Sequence, residues 1–151
     1  MVSDICSAVG IDCDFIAMNG EIHNAIAYRG EFGERIIVYE RRFSPTIGYD
    51  GAQVVIAHEM GHHHCGHLST RSGIGSHQVE LEADAFMGFA MKMMSIPFES
   101  IQRTYELLGM GPESESHPSL TRRLAASRFG YQAGSLEDAC NISINEGSKI
   151  A

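Results

Sequence analysis

The 151-residue chain reads as an α+β fold: a small antiparallel sheet of about three strands, packed with a histidine-bearing helix, a glutamate-bearing helix and two C-terminal helices. Three observations lead there. Strand signals are confined to the first third, where Arg35 to Glu40, R-I-I-V-Y-E, is β-branched and aromatic. From Asp50 onward, apolar residues recur at helical spacing in stretches separated by Gly, Pro and Ser. With 44% hydrophobic and 20% charged residues, the composition suits one globular domain able to bury a core. Residues 1–151 are expected to form a single domain, with its core at about 11–131 and a frayed polar tail after Cys140.

Taken in order, Ser3 to Val9 suits a short helix capped by Ser3 and closed by Gly10. Ile11 to Met18 reads as a first strand, and Asn19-Gly20 as a hairpin turn into a second at Ile22 to Tyr28. Arg29 to Gly33 turns into the strong strand at Arg35 to Glu40. Ser44-Pro45 opens a helical turn, with Ser at the N-cap and Pro at the first helical position. A long helix then runs from about Asp50 to His64, with Asp50 and Gln53 spaced as a capping box. Leu68 to Gly75 is a polar loop, followed by a second long helix over about Ser76 to Met94. Its periodic face carries Val79, Ala83, Phe86, Met87, Ala90 and Met94, and Met87, Met91, Met93 and Met94 are read as adaptable core filler. Pro97 starts a third helix reaching Leu108 and closed by Gly109. His117-Pro118 starts a fourth through Phe129, ending at Gly130.

The net charge of −8, with no long basic run, makes nucleic acid and anionic membrane poor partners. No apolar run approaches the roughly 20 residues of a spanning helix. Met1 to Gly10 lacks the basic start and long apolar core of a signal peptide, so the cytoplasm is the default location. A secreted or periplasmic form with its signal segment removed is the alternative, compatible with four cysteines. Cys6, Cys13, Cys65 and Cys140 contain no C-x-x-C pair, which argues against a structural zinc knuckle. Free buried thiols are expected, with disulfides permitted by the even count, and Cys65 is read as structural.

The chemistry concentrates in Val54 to His67, V-V-I-A-H-E-M-G-H-H-H-C-G-H. His58 and His62 lie four apart, hence on one helical face, where both imidazoles can reach one metal ion. Glu59 follows the first ligand directly and lies beside the metal, placed to hold a proton from water. The bland alternative is a His-rich surface helix. A catalytic zinc site takes three protein ligands and an open position. Glu80 and Asp84, also four apart, share a face with Phe86, Met87 and Met91, and Glu82 points elsewhere. Glu80 is assigned to the metal and Asp84 to the free N–H of a ligand imidazole. A solvated acidic face, or pairing of these acids with arginine, is the competing reading. His63, His64, His67 and His77 are surplus, and a second metal site on them is not expected.

These motifs together resemble the gluzincin peptidases of the CaaX prenyl protease and HtpX heat-shock protease type, whose pattern is H-E-x-x-H followed on a later helix by E-x-x-x-D. Here those are His58-Glu59-Met60-Gly61-His62 and Glu80-Leu81-Glu82-Ala83-Asp84. That family's N-A-x-A edge strand matches Asn24-Ala25-Ile26-Ala27. Its late H-P motif, with arginine six residues after the His, matches His117-Pro118 and Arg123. The likeness covers roughly residues 22–131 and implies a zincin-like fold and a zinc endopeptidase with one Zn2+ per chain. It implies zinc binding by His58, His62 and Glu80, with Glu59 as general base. His117 would stabilise the oxyanion and Arg123 would fix Asp84. The strand Asn24 to Ala27 would pair with an extended peptide or protein substrate. The best-known members are membrane proteins, so this chain looks like a soluble minimal member and their substrates do not carry over. Repressor-cleaving regulatory proteases of phage and stress systems are a second resemblance, without the late H-P-x-x-x-x-R. A non-enzymatic zinc-binding module, or a latent enzyme whose cleft is covered by a terminus, is the remaining alternative.

Overall fold

The computed structural model describes residues 1–143 other than His23, Thr70 and Ser72, and of Phe43 the backbone only. The tail beyond residue 143 lies outside the described residues, as does His23 within the expected second strand. The fold is α+β. Its elements are α1 (Val2–Val9), β1 (Phe15–Asn19), β2 (Ala25–Arg29), β3 (Arg35–Tyr39), a 3-10 turn (Arg41–Phe43), α2 (Ser44–His64), α3 (Ser76–Met93), α4 (Phe98–Leu107), α5 (Leu120–Gln132) and a 3-10 segment (Leu136–Asn141).

The sheet has the order β1-β3-β2, with β2 antiparallel to β3 and β1 parallel to it. This corrects the expectation of an antiparallel sheet begun by a hairpin at Asn19-Gly20. The physical reason lies in β3, whose Ile36, Ile37 and Val38 are all buried. The most apolar strand takes the centre and is flanked on both sides, and a local turn signal does not override that gain. The hairpin that does form joins β2 to β3 through the Gly30 to Glu34 turn, where Gly30 N–H donates to the Glu34 carbonyl at 2.9 Å.

Helix α2 begins differently from the expectation. Ser44 is already helical and follows the 3-10 turn rather than capping a helix, and its Oγ lies 2.8 Å from the Tyr39 hydroxyl. Gly48, at φ 75°, kinks the chain, and the stretch that carries His58 and His62 starts from that kink. There is no capping box. Gln53 is fully buried with neither amide atom paired, and Asp50 instead accepts from the Ser100 hydroxyl at 3.0 Å. The helix buries the face that a box would need at the surface. At α1 the cap position falls on Met1 rather than Ser3, and Pro97 caps α4 rather than lying inside it.

Helix α3 is the buried axis of the molecule, with Leu81 to Met91 buried on every side. Val79 and Met94 are only half-buried, and Met93 is exposed. Helix α5 starts at Leu120 with Ser119 as its cap, and it runs through Gly130 to Gln132. Gly130 therefore does not terminate it; a Cβ there would stand 1.8 Å from the Ala85 carbonyl oxygen, so this glycine lets α5 lie directly on α3. The apolar core also takes in Ile5 and Cys6 of α1 and Ala139 and Ile142 near the C-terminus, beyond the expected 11–131 stretch. All four cysteines are paired, as Cys6–Cys13 and Cys65–Cys140, correcting the expectation of free thiols. The second bridge spans 75 residues of sequence, a proximity that spacing along the chain does not encode. Among the described residues no helix is long and apolar enough to cross a membrane.

Candidate metal centre

Helix α2 supplies His58, Glu59 and His62 from successive turns of one face. Gly61, between them and α3, makes the approach possible: a Cβ there would meet Ala83 Cα and Phe86 Cβ at 3.0 Å. The close crossing brings Glu80 of α3 against both imidazoles. His58 Nε2 lies 3.1 Å from His62 Nε2 and 3.1 Å from Glu80 Oε2, and His62 Nε2 lies 3.5 Å from Glu80 Oε1. Three ligand atoms about 2.0–2.1 Å from one tetrahedral ion would stand about 3.3 Å apart, and the separations here, one imidazole to each oxygen of Glu80, fall near that value. Ligand atoms of His58, Glu59 and His62 also lie within 4.8 Å of one another. The three side chains keep 12%, 13% and 18% of their surface exposed, which leaves one side of the set open.

Asp84, one turn beyond Glu80, is fully buried. Its Oδ1 accepts a hydrogen bond from His58 Nδ1–H at 2.9 Å, which fixes the ring with Nε2 toward Glu80. Arg123 of α5 holds the carboxylate at both oxygens, with Nε donating to Oδ2 at 2.8 Å and Nη2 to Oδ1 at 3.0 Å. The same Nη2 reaches Glu80 Oε2 at 3.3 Å, and the Tyr105 hydroxyl of α4 donates to Asp84 Oδ1. Burial alone would raise the Asp84 pKa, but the guanidinium and His58 outweigh it and hold the carboxyl ionised. The arginine pairing posed by the sequence as the competing reading is present, with Arg123 on both Asp84 and Glu80. Glu59 is different: burial pushes its pKa up, against the pull of His58 and His62 and of the Ala27 backbone amide beside it.

One cleft of about 370 Å3 contains most of this chemistry. Asn24, Ala25, His58, Glu59, Glu80, Tyr105, His117 and Arg123 all line it. Ile26 and Ala27 do not: Ile26 is half-exposed elsewhere, and Ala27 is buried with its backbone near Glu59. Strand β2 is nonetheless an edge strand beside the cleft. His117 sits in the loop before α5, exposed, with Nδ1 2.8 Å from the Ser116 hydroxyl.

Sequence reasoning missed Tyr105, which reads as one more apolar residue on α4, and it gave no task to His67 or Glu82. His67 Nδ1 lies 2.9 Å from His62 Nδ1, and His67 Nε2 lies 2.9 Å from Glu82 Oε1. Glu82 is buried and also accepts from Arg71 and Gln78. The available signal was Gly66, at φ 73°, which ends α2 and folds the next residue back onto it. Cys65, His67 and Glu82 cluster as potential ligands as well, but the Cys65 sulfur is bonded to Cys140 and is no thiolate. The chain matches no protein-family model, no curated protein and no solved structure.

Proposed function

We propose that this chain is a zinc-dependent endopeptidase. The observation that carries the reading is the approach of three side chains, His58, His62 and Glu80, whose donor atoms lie 3.1–3.5 Å from one another, with Glu59 in the same cleft. His58, His62 and Glu80 are the ligands, and two nitrogens with one carboxylate are a donor set that zinc accepts. Zinc bound there supplies a Lewis acid that activates water and polarises the scissile carbonyl. Glu59, in the same cleft, would take the proton and hand it to the departing amine. His117 donates to the developing oxyanion from the other side of the cleft. An extended peptide pairs with the β2 edge at Ala25 to Ala27, through backbone hydrogen bonds that any sequence can make; Asn24, at φ 89°, lies just before the strand and lines the cleft. The four-motif resemblance to gluzincin peptidases supports the same reading independently of the geometry.

The acidic chain makes a peptide a better partner than nucleic acid. Two disulfides favour an oxidising compartment over the cytoplasmic default.

The test measures metal content and casein cleavage on the same samples of wild type, Glu59→Gln and Glu80→Ala. We expect one zinc per chain, kept in Glu59→Gln and lost in Glu80→Ala. Cleavage should fall at least about 100-fold in Glu59→Gln. A wild type that takes up no metal would remove the reading. Zinc retained in full by Glu80→Ala would move the third ligand elsewhere.

A further inference from the structure

The Glu80 side of the centre is explained by the metal set and by Asp84. The other end of His62 is not, and a different cluster sits there. His62 Nδ1 faces His67 Nδ1 at 2.9 Å, so one nitrogen must donate and the other accept. The other nitrogen of His67, Nε2, lies 2.9 Å from Glu82 Oε1. Glu82 is surrounded by donors: Arg71 Nη1 at 2.7 Å, Arg71 Nη2 at 3.2 Å and Gln78 Nε2 at 2.8 Å. A carboxylate so placed only accepts, so His67 donates from Nε2, and as a neutral imidazole it presents a bare Nδ1 to His62. His62 must then donate from Nδ1, which leaves its Nε2 lone pair free on the side of His58 and Glu80.

We propose that His67, fixed by Glu82, is a positioning residue that sets the tautomer and ring orientation of His62 as a metal ligand. The inference rests on the metal-centre reading above. The relay has its own foundation. Arg71 Nη1 also donates to the carbonyls of Cys65 at 3.1 Å and Cys140 at 2.9 Å, and Gln78 Nε2 donates to the Ile142 carbonyl at 2.7 Å. Glu82 is thereby held from the end of α2, from α3 and from the C-terminal segment at once. His67 and Glu82 side chains keep only 3% and 1% of their surface exposed, so water does not substitute for either partner. The turn at Gly66 delivers His67 to this place, its backbone N–H bonding to the His62 carbonyl at 3.0 Å.

The experiment uses the full chain as wild type, His67→Ala, His67→Gln and Met87→Ala. Zinc affinity is measured by competition with a chromophoric chelator, the visible spectrum is taken with Co2+ in place of zinc, and thermal midpoints are taken on metal-free samples. His67→Ala should lose about 10- to 100-fold in zinc affinity and shift the cobalt spectrum. His67→Gln, whose amide accepts at oxygen and donates at nitrogen, should regain most of both. Met87 is fully buried in α3, so Met87→Ala lowers the thermal midpoint through lost packing and should leave zinc affinity and spectrum as in wild type. Wild-type affinity and an unchanged spectrum in His67→Ala overturn the inference while leaving the metal centre intact. A loss of affinity in Met87→Ala equal to that in His67→Ala also overturns it, by showing that affinity follows stability alone. A wild type that binds neither metal brings down the metal-centre reading itself, and this inference with it.

Discussion

His58 is backed by an ionised carboxylate sealed between helices, whereas His62 is backed by a second imidazole on the turn that leaves its own helix. Asp84 is fully buried, and its partners Arg123 and Tyr105 come from α5 and α4. The His67–Glu82 pair is as deeply buried, but its outer partner Arg71 keeps a third of its side chain in solvent, and its neighbours are a loop and the C-terminal segment. One support is thus made wholly of core helices, and the other joins α3 to a turn and the C-terminal segment. A charge locked in the core is costly to unpair, whereas Arg71, the outer partner of Glu82, can turn to water if that carboxylate is lost.

That contrast is most directly broken by removing each carboxylate. Asp84→Ala leaves Arg123 buried without its main partner and is expected to destabilise the metal-free protein by about 3–5 kcal/mol. Glu82→Ala should cost less, about 1–3 kcal/mol, because Arg71 can turn to water. Urea denaturation of both variants measures the difference, and equal losses would erase the distinction between the two supports. The disulfides sharpen it next. Cys65–Cys140 closes a 75-residue separation beside the His62 support, and Cys6–Cys13 closes one of 7. In the loop-entropy account, Cys140→Ser costs about 4 kcal/mol at most and Cys13→Ser about 2 kcal/mol. Zinc affinity should fall only in the first, since Arg71 bonds the Cys65 and Cys140 carbonyls. Loss of affinity in Cys13→Ser as well would mean that the bridges act on the fold as a whole.

The last effect is in pH. In the metal-free protein, burial disfavours the His58 imidazolium, but Glu80 and Asp84 outweigh it and the pKa is pushed up to about 10. A metal entering at neutral pH displaces that proton, so acid competes with the metal and alkali favours it. Zinc affinity should rise about tenfold per pH unit from about pH 6 to pH 8. Calorimetry in buffers of different ionisation enthalpy counts the released proton, and a flat pH profile would show that His58 is already neutral. In Asp84→Asn the slope should soften, because one of the two groups that hold the proton has gone.

Much of the centre was legible because its spacing is local. Four-residue intervals on a helix put His58 with His62 and Glu80 with Asp84, whatever the rest of the chain does. The late Arg123 was legible only through the resemblance of its motif, and the structure brings it onto Asp84. The turn between β2 and β3 and most helical limits also follow from nearby residues. The sheet order does not, because the parallel pairing of β1 with β3 rewards the burial of Ile36 to Val38, which is a property of three strands together.

The sequence by itself determined which residues share a helical face, and so the metal-ligand candidates, the acid beside them and the α+β class. Only the tertiary structure decided what backs each of those residues. Gln53 became core rather than cap, Gly130 became a contact rather than an end, and Cys65 found Cys140. Glu82 and His67, fifteen residues apart, met across a turn and a helix. The physical reason is the range of the forces that act. Helical periodicity is a local, steric property of the backbone, readable in a window of about ten residues. Burial, by contrast, is decided by whichever packing removes the most apolar surface while pairing every polar group, and that is a property of the whole chain.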